Sequence, residues 1–225
     1  MVDLPEWPDD PARLARNPLR EQIRHMLVEG LLSGRWQPGE RIVERRVATE
    51  FNVSQAPVRE ALRELETLRL IESVPNKGAR VRDFGVADMA EIYPVRAGLE
   101  LVAAELAAPR LAADPRPLER EVEALRRATA DGDVEEQIKH SVEFHREIVR
   151  AADNSVLSHT WESLGVEVWT RLSVRWLNME LHAKAADHAQ ITDAFRRGDA
   201  DVGRMVREHV LNYVEAAMKT YGRAG

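Results

Sequence analysis

The chain reads as a mainly α protein, an N-terminal winged helix-turn-helix followed by a C-terminal all-α helical bundle. Three observations predict this. An amphipathic helix opens at Val53-Ser-Gln-Ala-Pro-Val-Arg59, behind a shorter helix and a tight connection. Two short β-like runs, Ile71–Val74 and Ala79–Arg82, then flank the hairpin tip Pro75-Asn76-Lys77-Gly78. After Phe84 the apolar pattern is helical throughout, with almost no strand signal.

The elements follow in order. Leu19, Ile23, Met26, Leu27 and Leu31 mark one face of a helix from Leu19 to Leu32. Ser33-Gly34 ends it, and Trp36-Gln37-Pro38-Gly39-Glu40 reads as a turn. A short helix spans about Glu44 to Phe51, and Asn52-Val53 is the tight connection. Ser54 then sits as an N-cap, its hydroxyl suited to accept from an orphan backbone N–H. Pro57 falls in the first turn, where its missing N–H costs no intrahelical bond. Val58, Leu62 and Leu65 form the apolar stripe, while Gln55 and Arg59 lie four apart on another face beside Ala56. A helix that buries one face and presents Gln and Arg near its N-terminus suits major-groove readout. The bland account is a helical hairpin with a surface Arg. Order, spacing and wing together favour DNA.

The second half predicts helices near Val86–Ala113, Arg116–Asp131, Asp133–Ala152, Ser155–Met179, Ala183–Gly198 and Asp199–Tyr221. Asp114-Pro115, Gly132-Asp133, Asp153-Asn154 and Gly198-Asp199 break them. Two domains result, 15–83 and 84–225, with Arg82-Asp-Phe-Gly85 as the hinge.

Composition narrows the function classes. At 225 residues and 44% hydrophobic content the chain can bury real cores. The absence of cysteine excludes a disulfide scaffold, a thiolate metal site and a Cys nucleophile. No run of about 18 apolar residues exists, and the acidic, Pro-rich start is no signal peptide. A soluble cytoplasmic protein without a membrane partner is expected. The net charge of −6 hides an asymmetry: residues 11–83 carry 14 Lys+Arg against 10 Asp+Glu. That basic surplus lies where phosphates would be met.

The first half resembles the GntR superfamily of bacterial repressors over about residues 19–83. The resemblance rests on Ser33-Gly-Arg35, Pro38-Gly-Glu-Arg41, Glu44-Arg45, Val53-Ser54, Pro57-Val-Arg-Glu-Ala-Leu62, Leu70-Ile71 and Asn76-Lys-Gly78. It implies DNA contacts from Arg35, Arg45, Ser54, Gln55, Ala56, Pro57 and Arg59, and from Asn76, Lys77 and Gly78 of the wing. Two departures stand out. Gln55 replaces an Arg that many relatives carry, which alters base preference, and Val43 replaces a Ser or Asn cap.

Residues 86–221 resemble the FCD-type effector domain of the FadR branch. The carrying residues are Tyr93-x-x-Arg96-x-x-x-Glu100, Phe144-His145, Ala151-Ala-Asp-Asn154, His188-x-x-Ile191 with Gly198-Asp199, and His209. Taken alone, His145, His188 and His209 are three of seven histidines, which are usually scattered surface or capping groups. Three imidazoles are also what an open metal site uses. The resemblance implies that these three hold a divalent metal such as Zn or Ni, with an Asp one turn before the first. Here that position is Ser141. A neutral Ser leaves the ion its full charge, so the site would lean on an anionic ligand. The other reading of Ser141 is a pocket that binds its effector without metal.

Arg96 has two readings as well: an ion pair with Glu100 one turn on, or a guanidinium fork for an effector carboxylate. Trp161, Trp169 and Trp176 recur at helical spacing and read as core or dimer interface. The leading functional expectation is a transcriptional regulator, read as a repressor, that binds a palindromic double-stranded operator as a homodimer. A small anionic metabolite in the helical domain controls it. A three-His metal hydrolase is the alternative, but no HExxH or GxSxG motif supports it.

Overall fold

The computed structural model describes residues 19–74, 78–176 and 184–221. The chain divides into two units, with the break between Phe84 and Gly85.

In the first unit α1 (Leu19–Leu32) buries Ile23, Leu27, Val28 and Leu31. It faces α3 (Gln55–Thr67), which buries Val58, Ala61, Leu62 and Leu65. Gly30 lies under the ring of Trp36, where a Cβ would fall 2.2 Å from a ring carbon. Glycine therefore lets Trp36 fold back against α1. Between these helices come β1 (Arg41–Ile42) and α2 (Glu44–Glu50). The wing is β2 (Ile71–Val74) and β3 (Gly78–Val81), antiparallel, with Ile71 opposite Val81 and Val74 opposite Gly78. β1 joins the far edge of β3, giving the order β1-β3-β2. The sequence left β1 unassigned, because two residues are too few to show an alternation. Pro75, Asn76 and Lys77 of the wing tip lie outside the described residues.

The second unit is all helical: α4 (Val86–Ala113), α5 (Arg116–Asp131), α6 (Val134–Ala151), α7 (Ser155–Ser163), α8 (Val166–Trp176), α9 (Lys184–Arg197) and α10 (Val202–Tyr221). Asp133 caps α6 by accepting from the Glu136 N–H, and Asn154 caps α7 by accepting from the Leu157 N–H. The inner face of α4 includes four alanines (Ala97, Ala103, Ala104, Ala107, all 0% exposed), and α10 packs along the helix. Small side chains on one partner permit such close approach. Phe144, Ile148, Trp161, Phe195 and Val206 complete the core.

One expectation is corrected here. The helix predicted over Ser155–Met179 is two helices, α7 and α8, broken at Leu164-Gly165. Gly165 takes φ 64, a left-handed conformation that stops a helix. Among the described residues no helix is long and apolar enough to cross a membrane.

Candidate functional site

The first candidate is the surface around the start of α3. Ser54, Gln55, Ala56 and Arg59 are exposed there, and Pro57 is half-buried. Ser54 occupies the N-cap position with extended backbone, but its side chain makes no capping hydrogen bond, against the expectation from sequence. At an exposed helix start, water satisfies the orphan N–H groups just as well. Val43 likewise precedes α2 with no side-chain cap, and α2 is only seven residues long.

Arg59 is bidentate to Glu44 of α2, with Nε donating to Oε2 at 3.0 Å and Nη2 to Oε1 at 2.7 Å. The hydrogen bonding to Glu44, then its charge, raises the guanidinium above its ordinary value. Arg35 pairs with Glu50 of α2 and lies 4.9 Å from the Trp36 ring centroid. Arg45 is exposed on α2. These pairs reach solvent, their side chains 22–53% exposed, and screening there keeps them weak and exchangeable for a phosphate or base edge. Glu44 was missed from sequence as a partner of Arg59. Its signal was its place beside Arg45 in a matched motif. Gly78, assigned to the wing contact, has φ 82, and a Cβ there would lie 3.0 Å from the Ile42 carbonyl oxygen. Its glycine is accounted for by packing against β1.

The second candidate lies inside the helical unit. His145 on α6, His188 on α9 and His209 on α10 are all buried. Their ligand atoms lie within 4.8 Å of one another. The ring centroids are 5.3 Å apart for His145 with either partner and 4.6 Å for His188 with His209. Ser141, one turn before His145, is buried too. Tyr93, Arg96, Ser141, His145, His209 and Tyr213 line one cavity of about 20 Å³, room for a single water-sized group. His188 stands beside it, edge-on to Phe144 at 4.4 Å. Glu143 takes no part: it accepts from Arg146 and Arg150.

The ion-pair reading of Arg96 is met. Its Nε donates to Glu100 Oε1 at 2.6 Å, and the side chain also lines the cavity. Burial alone would raise the Glu100 carboxyl, but the Arg96 charge, then His145, outweigh burial and hold it below the ordinary carboxylate range. Burial pushes the Tyr93 and Tyr213 hydroxyls up, and their rings stack at 5.6 Å.

Sequence reasoning missed the other contacts of Glu100. Its Oε1 also accepts from Trp161 Nε1 at 2.8 Å, and its Oε2 lies 2.6 Å from His145 Nδ1. The available signal was a glutamate on the apolar face of a helix. Trp161 is core, as expected, but adds this polar bond, and Trp161 and Trp169 belong to different helices. The side chains of Arg175 and Trp176 lie outside the described residues.

The donor set suits a divalent ion such as Zn or Ni: three imidazoles, two with a carboxylate near Nδ1. Glu100 serves His145, and Asp187 Oδ2 lies 3.5 Å from His209 Nδ1.

Comparison with known proteins matches both units. The family described as bacterial regulatory proteins, gntR family, matches residues 19–81, and the FCD domain matches residues 91–212. A probable D-xylose utilization operon transcriptional repressor of Paenarthrobacter nicotinovorans is 35% identical, covering 93% of each chain. The gluconate operon transcriptional repressor of Bacillus subtilis is 31% identical over 76% of this chain and 69% of its own length. Among solved structures, E. coli McbR/YncC matches with a TM-score of 0.67 at 23% identity, over 93% of this chain and all of that one. That last likeness shows the fold.

Proposed function

The chain belongs to the gntR family of bacterial regulatory proteins and carries an FCD domain, so it is a DNA-binding transcriptional regulator; beyond this, we propose that it is a repressor controlled by a small carboxylate metabolite. In this reading the metabolite binds next to a divalent ion held by His145, His188 and His209. The observation that carries it is the clustering of three buried imidazoles, two of which, His145 and His209, line one cavity with Arg96. Three neutral ligands leave the ion its double charge, and Arg96 adds a cation already balanced by Glu100. An anion is what such a site lacks. Two relatives are named for the D-xylose utilization and gluconate operons, and gluconate is itself a carboxylate, which supports the reading. At about 20 Å³ the cavity requires either a very small ligand or movement of the Tyr93 and Tyr213 wall.

DNA is held by the start of α3 in this proposal. Ser54, Gln55, Ala56, Pro57 and Arg59 meet base edges and backbone, while Arg35, Arg45 and the wing residues Asn76, Lys77 and Gly78 meet the flanking strand. A palindromic operator needs paired readers, hence a homodimer. Support comes from α4. Three of the seven exposed large apolar residues among the described ones, Val95, Val102 and Leu106, share one face of that helix. Gly98 lies on the same face, with nothing within 4 Å of a Cβ placed there. A stripe with a small residue at its middle fits a second helix at close range.

Ser141 favours a second reading, a cavity that takes its anion without metal. The Ser141→Asp variant separates the two. With metal, Asp adds an anionic oxygen at the right spacing: Zn should bind more tightly, and an anionic ligand such as gluconate more weakly. Calorimetry on both proteins, beside native mass spectrometry for dimer and metal, reads this out. Absence of Zn binding to either protein would leave the metal-free reading standing.

A further inference from the structure

One buried carboxylate reaches both halves of the cavity. Glu100 is 0% exposed, and three helices converge on it. Arg96 of α4 and Trp161 of α7 donate to Oε1, and His145 of α6 presents Nδ1 to Oε2. Ala97, Ala103, Ala104 and Ala107 of the same helix are buried with it. Asp187 stands in a similar relation to His209, but at 3.5 Å and 53% exposed it is a looser and wetter partner.

A neutral imidazole has one N–H and one lone pair, and whatever holds the N–H decides which nitrogen can bind a cation. A carboxylate accepts only, so Glu100 Oε2, 2.6 Å away, favours the proton on His145 Nδ1 and the lone pair on Nε2. We propose that Glu100 is a positioning residue that fixes His145 in its metal-binding tautomer. It rests on the reading that the histidines hold a divalent ion. Through Oε1 the same carboxylate orients Arg96, so ion and arginine share one anchor.

The test is Glu100→Gln in the full chain. The amide keeps the size. Its oxygen can still accept from Arg96 and Trp161, which turns its NH2 toward His145 Nδ1. That nitrogen must then accept, and the proton moves to Nε2. Nitrogen-15 NMR of the metal-free protein, with the ring neutral, should show His145 as the Nδ1–H tautomer in the parent and Nε2–H in the variant. Zn affinity, measured by competition with a chromophoric chelator, should fall roughly 10- to 100-fold. Adding Ser141→Asp to Glu100→Gln should recover part of the loss.

Glu100→Gln leaves Arg96 buried without its counter-charge. The double variant Arg96→Met with Glu100→Gln is therefore measured beside it, with thermal melting to establish the fold, and the same tautomer switch and loss of Zn affinity are expected. An Nε2–H tautomer in the parent, or parent-like Zn affinity in the folded double variant, overturns the proposal. A parent that binds no Zn yet holds His145 as Nδ1–H would overturn the metal reading and leave the positioning by Glu100 intact.

Discussion

Arg59 on α3 and Arg96 on α4 each face a glutamate, Glu44 and Glu100, and the two pairs have nearly the same bond lengths. They differ in their surroundings. The Arg59 side chain is 53% exposed, whereas Arg96 is 8% and Glu100 1%. In water the first pair is a loose tether that DNA can displace. Sealed from water, the second cannot part without leaving a bare buried charge. The first unit thus keeps the arginine proposed to meet DNA exchangeable, and the second builds its arginine into the fold.

The largest effect expected from this contrast is on stability. Arg96→Met should cost about 3–5 kcal/mol, because Glu100 keeps its burial and loses its guanidinium. Arg59→Met should leave the denaturation midpoint where it is. Denaturant melts of both variants against the parent measure this, and equal losses would break the comparison.

Next comes a test of what does hold the first unit together, if its surface pairs do not. Gly30→Ala forces a methyl into the Trp36 ring, 2.2 Å away. Overpacking of this kind costs roughly 1–3 kcal/mol, and the indole, itself buried, has to shift to relieve it. Tryptophan fluorescence should report that shift together with a lower melting temperature. A variant as stable as the parent would mean that Trp36 is no part of this core.

The same contrast governs what the sequence revealed. The winged helix was legible because its signals are local: Pro57 in a first turn, the Val58-Leu62-Leu65 stripe, and turn glycines at 34 and 39 with φ 74 and 80. The boundaries of α4 and α5 followed from Asp114-Pro115 and Gly132 for the same reason. The break at Gly165 was missed, since one glycine inside a helical period does not by itself say that the helix stops. Seeing Glu100 as the partner of His145 and Trp161 needed tertiary structure, because the Trp161 bond spans 61 residues. His145, His188 and His209 could be singled out by resemblance, yet no spacing in the chain says that α6, α9 and α10 bring them together. Ser54 shows the reverse limit: the local rule placed the helix start correctly, while the hydrogen bond behind the rule is not made.

On the DNA side, Arg59→Ala should weaken operator binding by on the order of tenfold to a hundredfold, the usual worth of a bidentate arginine–guanine pair. Dimer mass and melting temperature should stay at parent values, because the pair with Glu44 lies in water. Titration against operator and unrelated DNA, each with parent and variant, measures this. An equal loss on both DNAs would reassign Arg59 to the phosphate backbone.

The smallest energetic effect, and the sharpest, belongs to Gln55. It is exposed in the first turn of α3, four residues before Arg59 and therefore on the same face. Replacing it touches no core and no ion pair, so stability should not change. Its amide can accept and donate at once, which matches the N6–H and N7 of adenine, whereas a guanidinium only donates and matches O6 and N7 of guanine. Gln55→Arg should therefore move the preferred base from adenine toward guanine at one position in each half-site, with total affinity little altered. Selection from a randomised operator library, run in parallel on parent and variant, reads the change directly. The shift must appear symmetrically in both half-sites if a homodimer is the reader. A shift in one half-site alone would argue against the dimer, and the same selected operator for both proteins would remove Gln55 from the reading face.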